Sequence, residues 1–109
     1  MKKYKNTLQK GSVRFIIFCD GDAWYGICLE FNIIEEGSTP REANILLLEA
    51  VSGYLESARK IKARPHILNQ RPDAEYEALW DSLQEKKRKR TDKKVFSFGS
   101  LNIPQLVAA

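Results

Sequence analysis

Residues Trp24–Ala43 read WYGICLEFNIIEEGSTPREA, and the reading of this stretch decides the fold. Trp24 to Phe31 is aromatic and β-branched, the composition of a strand. Asn32 supplies a turn, and Ile33 to Glu36 makes a third short strand that stops at Gly37. Thr39, Pro40 and Glu42 then form a complete helix start. The Thr39 hydroxyl is placed to accept the Glu42 amide, Pro40 has no amide to lose at the first helical position, and Glu42 can return a bond to Thr39.

Towards the N-terminus, Val13 to Cys19 (VRFIIFC) is a second strand-like run, joined to the first by Asp20-Gly21-Asp22-Ala23. The pair predicts a β-hairpin with Cys19 opposite Trp24 and Cys28 opposite Phe15. Phe15, Ile17, Cys19, Trp24 and Cys28 then share one face, and Ile16, Phe18, Tyr25, Ile27 and Leu29 the other. Both faces are apolar, so one is expected to carry a helix and the other to meet a second copy or a partner. The two thiols fall four residues apart, about 13 Å by strand rise, beyond the roughly 7 Å that a disulfide spans.

Towards the C-terminus, Ala43, Leu46, Leu47, Ala50, Val51, Tyr54, Leu55, Ala58 and Ile61 recur at helical spacing and predict an apolar stripe lying across the sheet. Arg64 and Pro65 end that helix. After the loop HILNQR, Asp73 is a candidate N-cap for a second helix carrying Tyr76, Leu79, Trp80 and Leu83. The stretch VFSFGSLNI then reads as a strand stopped by Pro104. The expected architecture is α+β: a three-stranded antiparallel meander, a long amphipathic helix packed on the sheet, a second helix and a C-terminal strand (β-β-β-α-α-β). Its parts are a basic N-terminal tail (1–11), a core (12–62; strands 13–19, 24–31 and 33–36, helix 40–62) and an extension (63–109; helix 73–90, strand 95–103).

With 109 residues, 43% of them hydrophobic, the chain can bury the core of one domain. Its longest unbroken apolar run is the five residues Phe15–Cys19, far short of the roughly 18 needed to span a membrane. The basic N-terminus leads into Arg14 and the Asp20/Asp22 turn rather than a cleavage site, so the chain is expected in the cytoplasm. Net charge is +4, but unevenly spread. Residues 1–14 carry five basic groups and no acid, 15–60 carry three basic and eight acidic, and 61–109 carry ten basic and six acidic. An acidic centre repels phosphate, whereas its basic flanks attract it.

Signals for catalysis are sparse. His66 is the only histidine, so a Cys/His dyad or a histidine-rich metal site has no second member. Asp20 and Asp22 fit the backbone-bonding role that aspartate plays in turns, and no further oxygen ligands follow at calcium-loop spacing. No serine sits in a nucleophile elbow and no glycines form a phosphate loop. A magnesium-dependent nuclease needs clustered acids on strands, and Glu30, Glu35 and Glu36 alone lie near them. No cofactor, metal or catalytic residue is assigned. Candidate partner-binding residues are Trp24, Tyr25, Glu30, Glu35 and Glu36. Lys86, Lys87, Arg88, Lys89 and Arg90 are candidates for nucleic-acid contact, and they also suit the negative end of a helix dipole. Trp24, Tyr25, Phe96 and Phe98 could stack bases, although strand aromatics more often serve core or interface.

Over about residues 12–62 the chain resembles the HicB-like antitoxin family. The resemblance rests on Trp24, Tyr25, Cys28, Glu30 and Phe31, then Gly37, Thr39, Glu42 and Ala43, then Leu48, Glu49, Ala50, Val51, Tyr54, Leu55 and Glu56. It implies a partly degenerate RNase H-like fold without nuclease activity. It further implies an antitoxin that neutralises a HicA-type toxin, a small basic mRNA-cleaving ribonuclease. An acidic centre suits a partner that itself holds RNA phosphates. The chain departs from the family pattern at Leu29, where a proline is common, and in residues 63–109, where a helix and a strand stand in place of an appended DNA-binding domain. Unpaired sheet edges predict a homo-oligomer, a dimer, with Val95 to Ile103 closing an edge within the chain or across the dimer.

Overall fold

The computed structural model describes residues 5–84 and 94–108. Four strands, β1 (Ser12–Asp20), β2 (Ala23–Cys28), β3 (Ile33–Gly37) and β4 (Lys94–Asn102), form one antiparallel sheet in the order β3-β2-β1-β4. Helix α1 (Pro40–Lys60) follows the meander, and α2 (Ala74–Gln84) and α3 (Ile103–Ala108) flank β4 in sequence. The α+β architecture and its order are as the sequence predicts. The hairpin register is too, with Cys19 opposite Trp24 and Phe15 opposite Cys28. Asn32 takes φ 52° between β2 and β3, a left-handed turn that asparagine tolerates.

The start of α1 uses the predicted cap with one change of partner. Thr39 Oγ1 accepts the Glu42 amide at 3.0 Å, but the Glu42 carboxylate accepts the amide of Ser38, also at 3.0 Å, rather than that of Thr39. The helix ends at Lys60, before the Arg64-Pro65 stop. Lys62 adopts φ 51°, and the amides of Lys62 and Ala63 bond the carbonyls of Arg59 and Ala58. This Schellman closure satisfies carbonyls that the helix end would otherwise leave unbonded. Pro65 instead opens a 3-10 turn, Pro65–Leu68, where a loop is expected.

One further expectation needs correction. The last strand ends at Asn102, and Ile103 and Pro104 begin α3, whose Gln105 amide bonds Asn102 Oδ1 at 3.1 Å. Proline is tolerated in a first helical turn, so Pro104 opens a helix as well as stopping a strand. The predicted 73–90 helix is seen as Ala74–Gln84, with Asp73 Oδ1 accepting the Glu75 amide at 2.9 Å. Its predicted end falls outside the described residues.

The sheet is covered on both faces. On one, Val13, Ile17 and Cys28 pack with Ala43, Leu47, Val51, Leu55 and Ala58 of α1 and with Ile103. Of the stripe predicted on α1, Ala43, Leu47, Val51, Leu55 and Ala58 are buried and Leu46, Ala50 and Tyr54 half-buried, while Ile61 is 74% exposed beyond the last turn. On the other face, Ile16, Phe18, Ile27 and Leu29 pack with Leu79, flanked by Tyr76, Trp80 and Leu83. The second apolar face is therefore closed by α2, not by a second copy or a partner.

The close approach of α1 depends on two glycines. A Cβ on Gly26 would lie 2.9 Å from the Ala43 carbonyl oxygen, and one on Gly37 would lie 2.7 Å from the Ala43 nitrogen. Both contacts are shorter than packed atoms allow. The segment before β1 is tied in by Asn6, only 4% exposed. Its amide bonds Asn69 Oδ1, its Nδ2 bonds the Leu68 carbonyl, and Asn69 Nδ2 returns a bond to its carbonyl. The part of the 1–11 tail that is described is thus anchored to the turn that follows α1.

Candidate interaction site

Strand alternation separates the five predicted partner-binding residues. Trp24 and Glu35 lie on the α1 face, and Tyr25 and Glu36 on the α2 face. Trp24 is half-buried and meets Phe96 edge-on, with ring centroids 6.1 Å apart. Tyr25 is half-buried and stacks on Phe18 at 5.6 Å. A hydrogen bond to Glu36, with the charge of Asp20 adding to it, raises the Tyr25 hydroxyl above its ordinary pKa. The two tryptophan and tyrosine rings therefore serve mainly as scaffold, with the Tyr25 hydroxyl turned to the surface acids.

Glu30 is committed inside the chain. Its Oε1 accepts the Arg14 amide at 2.7 Å and its Oε2 lies 2.6 Å from the Arg14 guanidinium, which also grips Glu77 of α2 through Nη1–Oε1 at 2.6 Å and Nη2–Oε2 at 2.9 Å. The Arg14 guanidinium carbon lies 5.5 Å from the centre of the Trp80 ring. Two carboxylates and an aromatic face hold this cation in place, with the Glu77 bond the largest influence raising its pKa. Beside the cluster a cleft of about 610 Å³ opens between Lys5, Asn6, Asn69 and Ser100. Sequence reasoning missed this cluster. The available signal was Arg14 itself, a lone charge on the apolar face that α2 covers.

Glu30, Glu35 and Glu36 do not converge, and among the described residues no group of three or more His, Cys, Asp or Glu side chains is placed to hold a metal ion. His66 is exposed in the 3-10 turn. Cys19 and Cys28 are free thiols, and burial pushes Cys28 up to about 12. Lys86, Lys87, Arg88, Lys89 and Arg90 lie outside the described residues. Among the described residues no helix is long and apolar enough to cross a membrane.

One surface open to a partner is the outer edge of β3. Ile34 is 51% exposed and Glu36 is exposed beside it, with Asp20 and Asp22 exposed at the tip of the hairpin. A groove of about 300 Å³ lies between this edge and the start of α2, lined by Ile27, Leu29, Ile34, Asp73 and Tyr76. The surface is apolar at its centre and acidic around it. The chain matches no family model, no curated protein and no solved structure.

Proposed function

We propose that this chain is a HicB-like antitoxin, a non-catalytic protein that binds and neutralises a small basic mRNA-cleaving toxin of the HicA type. The observation that carries the reading is the acidic, unpaired β3 edge, with Ile34 exposed on the same face as Glu36, the hairpin acids beyond Glu36 and Asp73 across the groove. An apolar anchor ringed by charge of one sign suits a partner of the opposite sign. An RNA-cleaving protein presents that charge, because it must hold phosphates. The resemblance over residues 12–62 supplies the same partner class from the sequence. Gly37, Thr39, Glu42 and Ala43, which carry part of that resemblance, here seat α1 on the sheet. They support the scaffold, and the edge beside them supports binding.

The test is co-expression with the small basic protein encoded beside this chain, followed by purification of the complex and a growth assay. The reading expects a stoichiometric complex, rescue of growth, and loss of both on charge reversal with Glu35→Lys and Glu36→Lys. Absence of a complex overturns it. Salt-sensitive binding of RNA or DNA that disappears when Lys86–Arg90 are neutralised would replace it with a nucleic-acid-binding module.

A further inference from the structure

The two edges of the sheet differ in chemistry. Sheet edges are ordinarily guarded by charge, by proline, by shortness or by a bulge, because their unpaired amides and carbonyls invite another strand. The β3 edge is five residues long and carries Glu35 and Glu36. The β4 edge is nine residues long, carries no charge after Lys94 and contains no proline; its guards are Lys94 at one end and a bulge at Phe96, where its register against β1 shifts. It also exposes two large aromatics, Phe96 at 62% and Phe98 at 44%.

The bulge at Phe96 breaks the strand's alternation, so these rings lean to opposite faces of the sheet. Phe96 meets Trp24 on the α1 face, and Phe98 meets Trp80 of α2 edge-on at 5.8 Å. A strand that is apolar on both faces has the character of an inner strand. Here it stands last in the order β3-β2-β1-β4.

We propose that the outer edge of β4 receives β4 of a second copy of this chain, antiparallel, making a continuous eight-stranded sheet about a two-fold axis. The axis stands perpendicular to the sheet, so both α1 helices share one side and both α2 helices the other. The charge pattern selects this occupant. Lys94 is the only charge in the strand, so it meets an uncharged residue in every register that overlaps beyond the strand's first residues. The same pairing at β3 would set glutamates against glutamates. Pairing β4 to β3 of another copy would leave edges free at each end and propagate, whereas β4 to β4 closes. The proposal does not depend on what the β3 edge binds.

Sedimentation velocity on the full chain reads the outcome. The expected result is a dimer whose dissociation constant rises at least about tenfold in Phe96→Lys and is unchanged in Ile34→Lys, with circular dichroism showing both variants folded. Should Phe96→Lys fail to fold, hydrogen exchange on the wild-type chain decides: the β4 amides are expected to slow as concentration rises through the dimerisation midpoint, and the β3 amides are not. A wild-type monomer at all concentrations, a dimer equally tight in folded Phe96→Lys, or a dimer without added protection in β4 overturns the proposal.

Discussion

Arg14 on β1 holds Glu77 on α2 through two parallel bonds, Nη1–Oε1 at 2.6 Å and Nη2–Oε2 at 2.9 Å, across 63 positions of sequence. The same guanidinium binds Glu30 after β2. One side chain thus links the hairpin to the helix that covers its second face. Replacing Arg14 with Gln leaves two carboxylates without their cation. We expect a loss of about 1–3 kcal/mol in unfolding free energy, read by urea denaturation.

The same pair makes the docking of α2 sensitive to acid. Arg14 holds the Glu77 carboxyl below its ordinary 4.5. A depressed carboxylate contributes stability that is complete above the unfolded-state pKa and is lost as pH falls through the folded one. Stability is therefore expected to decline below pH 4.5, with a weaker decline in Glu77→Gln. Chemical denaturation of both proteins at a series of acid pH values checks this, and equal slopes would remove Glu77 from the account.

Gly26 and Gly37 set how closely α1 approaches the sheet. Gly26→Ala pushes its Cβ into the Ala43 carbonyl, Leu47 and Ile17. Overpacking of this kind costs about 1–3 kcal/mol. Thermal unfolding is expected to show a lowered midpoint for Gly26→Ala and for Gly37→Ala, but a raised one for Gly53→Ala, which lies inside α1 where a Cβ meets nothing within 4 Å and alanine favours the helix by about 1 kcal/mol.

Thr39 caps α1 through a 3.0 Å bond to the Glu42 amide. Thr39→Ala is expected to lower stability by about 1 kcal/mol, while Thr39→Ser retains the acceptor and most of the effect. Parallel urea titrations separate the two outcomes.

Cys28 is 1% exposed, and its thiol is pushed up to about 12, chiefly by burial. It is expected to resist alkylation at pH 8 in the folded protein and to react on unfolding, since the thiolate is the reactive species. Mass spectrometry after brief treatment with iodoacetamide reports this, and rapid native labelling of Cys28 would show that its cover opens.

The hairpin register, the Thr39 cap and the Asp73 start were legible because each depends on residues close together in the chain. Turn composition sets the pairing of Cys19 with Trp24, and a hydroxyl three residues before an amide makes a cap wherever the helix later packs. The Schellman end at Lys62 and the helix at Ile103 were not legible, since a lysine at φ 51° and a proline after a strand carry no distinctive local signal. Among the candidate contact residues, the placement of Tyr25 and Glu36 on one face and Trp24 and Glu35 on the other followed from strand alternation once the register was known. That Glu30 was already taken by Arg14 did not.

By itself the sequence determined the four strands, α1 and α2 and their order, though not the 3-10 turn or α3, because strand alternation, helical periodicity and caps act over a few residues. Only the tertiary structure decided that β4 joins β1 within the chain, that α2 closes the second face, and that Glu30 is bound while the β3 edge stays open. Those outcomes bring together residues up to 90 positions apart, such as Ser12 and Asn102. Such pairings are selected by the joint burial of both sheet faces and the need to partner Arg14, and no local pattern encodes either.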